Sequence, residues 1–61
     1  MGNGYIGNRV SIKSGMFAGQ QGVVIGEEWT TGGIELTVEF GYIGDKKVGM
    51  FYTSELSFLD F

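Results

Sequence analysis

The 61-residue chain contains neither cysteine nor histidine. Without cysteine there is no disulfide, no thiolate nucleophile and no zinc–thiolate site. Without histidine it lacks the commonest general base near neutral pH and the commonest metal ligand. Ser-His and Cys-His mechanisms are thereby excluded within this chain. The remaining carboxylates, lysines and tyrosines form no recognisable catalytic set. A non-enzymatic protein is expected, with no metal, no cofactor and no small-molecule substrate. Basic residues are also scarce: four Lys and Arg stand against seven Asp and Glu, for a net charge of −3. Non-specific nucleic-acid binding draws its affinity from neutralising phosphates with a basic stripe. This balance instead favours a protein partner or a very local basic contact on RNA. No apolar run approaches a membrane span. The opening segment has neither the basic region nor the apolar core of a signal peptide, and Ile6 stands where myristoylation wants Ser or Thr. A cytoplasmic protein with no membrane partner is the expectation.

What remains is rich in glycine and apolar residues, with 12 glycines and 43% hydrophobic positions. A chain of this size buries only about 60% of its unfolded surface, and its core rarely supplies more than ~3–5 kcal/mol. With no disulfide available, compact β-structure or a partner must supply the stability. Residues 1–7 read as an arm that lays Tyr5 or Ile6 across the domain. Gly2, Gly4 and Gly7 spell G-x-G-x-x-G, but no strand precedes it and no helix follows, so the dinucleotide-binding context is missing.

Five short strands are predicted. The first covers about Asn8–Ile12, with Val10 and Ile12 on one face. The second runs from Gly22 to Trp29 through the β-branched run Val23-Val24-Ile25, a pattern compatible with burial on both sides. A hairpin turn at Thr30–Gly33 relies on Gly32 and Gly33 for positive φ angles. The third strand alternates most clearly: Ile34, Leu36, Val38 and Phe40 on one face, Glu35, Thr37 and Glu39 on the other. A loop spans Gly41–Lys46. The fourth strand, Lys47–Tyr52, is expected to turn Val48, Met50 and Tyr52 inward and Phe51 outward, beside Gly49. Thr53–Leu56 reads as one helical turn, and Ser57–Leu59 as a closing strand. The predicted fold is all-β: a small, closed, five-stranded SH3-like barrel over residues 8–61, preceded by the arm.

The segment from Val10 to Gly22 carries the most information. A strand ending at Lys13 meets a turn at Ser14-Gly15, and then a hydrophobic tip of Met16, Phe17 and Ala18. Gly19 allows a second bend, and Gly22 opens the next strand. Gly15, Gly19 and Gly22 are thus the structural loop glycines. This pattern, with Val10-x-Ile12 before it and Val24 after it, resembles the KOW motif. That motif occurs in NusG-type elongation factors and in several ribosomal proteins. The resemblance extends loosely to Leu59 and implies a binding module of the transcription or translation apparatus. Domains of the NusG type bind partners through apolar residues on the first loop and on the loop between strands three and four. On this chain those positions are Phe17, and Tyr42 with Ile43.

Each candidate has a structural and a functional reading. Phe17 is either a plug under its loop or a docking residue. Phe51 either covers the arm or extends an exposed protein-binding patch. Trp29 is expected to pack across the hairpin turn. Arg9, Lys13, Lys46 and Lys47 flank the two loops and supply rim charge or RNA contact if the loops share one end. Glu27, Glu28, Glu35 and Glu39 fall on paired strands. They form either a solvated face or an acidic docking face, the latter suiting a small inhibitor, phage- or plasmid-encoded, that blocks a basic site on a host protein.

Overall fold

The computed structural model describes residues 4–59. Gly2 and Asn3 of the arm, including the first glycine of the G-x-G-x-x-G pattern, lie outside the described residues. Five strands, β1 (Arg9–Ile12), β2 (Gln21–Thr30), β3 (Gly33–Tyr42), β4 (Asp45–Tyr52) and β5 (Leu56–Phe58), are joined by one 3-10 turn at Thr53–Glu55. They form a single antiparallel sheet in the order β4-β3-β2-β1-β5. The all-β, five-stranded expectation is met, and the helical turn falls where the sequence placed it. Among the described residues no helix is long and apolar enough to cross a membrane.

A single sheet has no second layer to cover its apolar face, so it buries that face by curling. The core gathers Val10 and Ile12 from β1, Val24 from β2, Leu36, Val38 and Phe40 from β3, and Leu56 from β5. Full burial of such a side chain contributes about 1.5–3 kcal/mol. The 3-10 turn packs against β3, β4 and β5. It is fixed at both ends. Glu55 Oε1 accepts the Tyr52 N–H at 2.8 Å, and the Glu55 carbonyl accepts the Lys13 N–H at 2.8 Å.

The alternation of β3 is as expected, but β4 is turned over. The register pairs Leu36 with Phe51 and Val38 with Gly49, which puts Phe51 and Gly49 on the core side. Phe51 packs on Phe40 with ring centroids 6.0 Å apart. Val48 and Met50 face outward and are 60% and 58% exposed, and Tyr52 faces outward with them. The reason is space. A Cβ on Gly49 would sit 2.9 Å from the Phe51 ring and 3.4 Å from Phe40. The inner face at this point therefore needs a glycine roofed by two aromatic rings, which three large side chains cannot provide.

Strand β2 contains a bulge between Val24 and Gly26. Before it, Val24 faces the core opposite Val38. After it, Glu27 pairs with Leu36 and Trp29 with Ile34, so both swing to the inner side, while Glu28 stays outside opposite Glu35. The hairpin end of β2–β3 projects past the core, which leaves Trp29 71% exposed. Trp29 therefore does not pack across the turn. Its Nε1 donates to Glu27 Oε2 at 2.8 Å. At the turn itself only Gly33 has positive φ, not the Gly32-Gly33 pair. Thr30 Oγ1 holds the turn, accepting from the Gly32 N–H and donating to the Gly33 carbonyl.

Candidate functional site

The loop between β1 and β2 is built on two tight bends. The Ala18 N–H donates to the Gly15 carbonyl at 3.2 Å, and the Gln20 N–H to the Phe17 carbonyl at 3.1 Å. Ile12 closes the neck, donating to Gln20 and accepting from Gly19. Gly15 and Gly19 take φ of 85° and 92°, where a Cβ is strained. Gly22 is required for a different reason. A Cβ there would meet the Glu39 carbonyl, with Phe40 Cβ at 2.8 Å and Val38 Cγ1 at 2.9 Å. The three motif glycines thus serve two purposes, conformation at 15 and 19 and close strand approach at 22.

Within this loop the two large apolar residues part company. Phe17 is half-buried against the core, its ring centroid 4.9 Å from that of Phe40. Met16, one residue earlier, is 88% exposed. The second loop is shorter than the sequence suggests. Tyr42 pairs with Asp45, so Gly41–Lys46 is largely strand, and only Ile43 and Gly44 turn the chain. Gly44 has φ of 87° at the third turn position, as a type II turn requires. Tyr42 and Ile43 are 78% and 96% exposed.

The register brings the two loops together. Gly22 at the start of β2 pairs with Phe40 near the end of β3. An open cleft of about 300 Å³ lies between them, lined by Gly19, Gln20 and Gln21 on one side and Gly41 and Tyr42 on the other. Met16, Tyr42 and Ile43 therefore crown one end of the molecule, with the cleft between their loops. Phe17 and Phe51, each read from the sequence as either a packing or a protein-binding residue, are partly buried and pack against the core. Met16 and the two glutamines were not singled out by the sequence. The only available signal was that Met16 shares the apolar tip with Phe17, and periodicity does not rank residues in a loop.

The charged candidates divide. Lys13 follows β1 at the end carrying the first loop, and Lys46 and Lys47 open β4 beside the second. Lys47 Nζ is paired with Asp45 Oδ2 at 3.2 Å, both exposed. Arg9 lies farther along β1, on the outer face opposite Val23. The acids do not share one face. Glu27 is turned inward by the bulge and holds the arm, accepting the Tyr5 N–H on Oε1 at 3.2 Å. Glu28, Glu35 and Glu39 remain on the outer face, where Glu28 stands directly opposite Glu35. The arm is anchored further by the Gly7 N–H donating to the Val24 carbonyl at 2.8 Å, and by Tyr5 packing on Phe58 at 5.4 Å. Ile6 stays exposed, so Tyr5 is the arm residue that crosses the domain.

No protein-family model matches the chain, and no curated protein or solved structure matches it.

Proposed function

We propose that this chain is a non-enzymatic binding module. It docks through its loop end on a protein or ribonucleoprotein partner of the transcription or translation apparatus. The observation that carries the reading is the adjacency of the two loops. Both lift apolar side chains into solvent at one end of a rigid sheet, and the KOW-like pattern associates these same loops with partner binding. Met16, Tyr42 and Ile43 are the apolar anchors, with Gln20 and Gln21 offering hydrogen bonds in the cleft between them. Phe17 supports the first loop from beneath. Lys13, Lys46 and Lys47 form the rim. The net negative charge, and the pairing of Lys47 with Asp45, favour a protein surface over extended nucleic acid.

Affinity capture with the wild type and with the triple variant Met16→Ala, Tyr42→Ala, Ile43→Ala tests the reading, followed by identification of retained partners. A component of the transcription or translation apparatus should be lost with the triple variant, while its NMR spectrum stays folded. Retention of that partner by the folded variant eliminates loop-end docking. Loss on Glu35→Lys with Glu39→Lys, with steep weakening by salt, assigns binding to the acidic face of an inhibitor instead.

A further inference from the structure

Of the two edges of the sheet, β5 is only three residues long, whereas β4 runs eight residues. Among the described residues no strand pairs with the outer edge of β4. Long edges are normally blunted by charge, proline or a bulge. Here Lys46 and Lys47 guard only the first turns of the strand, and Val48–Phe51 carries neither charge nor proline.

The backbone at this edge can be assigned. The two-residue hairpin closes on the Tyr42–Asp45 pair, and the Tyr52 N–H donates to Glu55 rather than to β3. Antiparallel partners alternate between hydrogen-bonded and non-hydrogen-bonded pairs. Lys46, Val48, Met50 and Tyr52 therefore direct their N–H and C=O groups away from β3. The same residues project their side chains onto the outer face, where Val48, Met50 and Tyr52 are all exposed.

The outer face carries Glu39 opposite Val48 in its middle, and its two ends differ in charge. Glu28 and Glu35 lie in one row with Tyr52, while Lys46 lies at the opposite end of β4, beside Gly41. We propose that β4 pairs antiparallel with β4 of a second copy of this chain, about a two-fold axis at Gly49. Val48 then faces Met50 of the other copy on both sides of the axis, and Lys46 comes opposite Tyr52. Glu35 lies two strand spacings from that Lys46, about 10 Å between backbones, which two long side chains span over the Tyr52 ring. The acidic end of each face thus meets the basic end of the other. Glu55 occupies the Tyr52 N–H and limits the ladder there. A strand edge is smaller than the ~800 Å² per side of a standard interface, so the dimer forms with a Kd on the order of 10–100 μM.

Sedimentation velocity from about ten micromolar to about one millimolar reads this range. The wild type should shift from monomer to dimer. Val48→Lys with Met50→Lys should remain monomeric while its NMR spectrum stays folded. Lys46→Glu and Glu35→Lys should each dimerise at least several-fold more weakly alone, yet regain wild-type association when mixed, because both contacts are attractive only in the heterodimer. A wild type that stays monomeric throughout overturns the proposal. So does a folded Val48→Lys, Met50→Lys variant that still dimerises. Failure of the mixture to associate more strongly than either component overturns the antiparallel register.

Discussion

Glu27 and Trp29, two residues apart, share the side of β2 that the preceding bulge turns inward, and there the carboxylate binds the indole N–H at 2.8 Å. The other carboxylate oxygen accepts the Tyr5 N–H. One glutamate therefore ties the hairpin end to the arm. Replacing Glu27 with Ala should cost about 1 kcal/mol. Urea unfolding measures that loss. Faster amide exchange at Tyr5 and Gly7, with shifted Trp29 fluorescence, locates it at the arm.

Phe17 and Met16 should separate stability from binding. Phe17→Ala removes half-buried packing on Phe40 and should destabilise by about 2 kcal/mol, a large share of what so small a core supplies. Met16→Ala should stay within about 0.5 kcal/mol of wild type. An unfolding midpoint for Phe17→Ala equal to that of Met16→Ala would show the ring to be dispensable to the core.

At the second loop, Tyr42→Ala and Ile43→Ala should each weaken partner binding by about 2 kcal/mol, roughly thirtyfold, if they act as anchors. Neither should move the unfolding midpoint appreciably, because both side chains lie in solvent. Titration calorimetry with the identified partner reads the first effect, and thermal unfolding the second.

The glycines should rank by mechanism rather than by position. Gly44→Ala meets open space and should cost about 1 kcal/mol for its positive φ. Gly22→Ala drives a methyl into the backbone of β3 and should prevent folding at ambient temperature. Circular dichroism distinguishes the two outcomes.

Glu28 and Glu35 are a like-charge pair directly opposed across β2 and β3. Glu28→Lys should stabilise the domain by about 0.5 kcal/mol at low salt, and less as salt rises. A denaturation midpoint unchanged or lowered at low salt would mean that the two carboxylates do not feel one another.

Much of this was legible in the chain. The strict alternation of Ile34 to Phe40 defined the central strand because Glu35, Thr37 and Glu39 left only one face to bury. The glycine spacing located the first loop because two of its bends need positive φ. Strand β4 was misread because Val48, Met50 and Tyr52 outnumber Phe51. Counting apolar residues ignores that the inner face there must accommodate the rings of Phe40 and Phe51. The four acids cannot share a face because Glu27 and Glu28 are adjacent on one strand and point to opposite sides; which of the two turns inward is set by a bulge that leaves no mark in the pattern when Ile25 and Gly26 fit either face. In the candidate site, Tyr42 and Ile43 were legible from their flanking glycines. The exchange of roles between Phe17 and Met16 depends on how a four-residue bend aims its side chains, which local sequence does not encode.

The bulge in β2 also makes the strand tolerant of an unusual kind of genetic change. Ile25 is half-exposed, so exchanging it for another side chain leaves the ladder intact. Removing its codon takes out only the extra residue of the bulge. Gly26 then follows Val24 opposite Thr37, Glu27 stays opposite Leu36, and the arm keeps its tether. Across divergent copies of this gene, position 25 should vary in identity and also be lost in some, while the residues on either side hold their partners. A bulge is a place where a chain can drop a letter and keep its register.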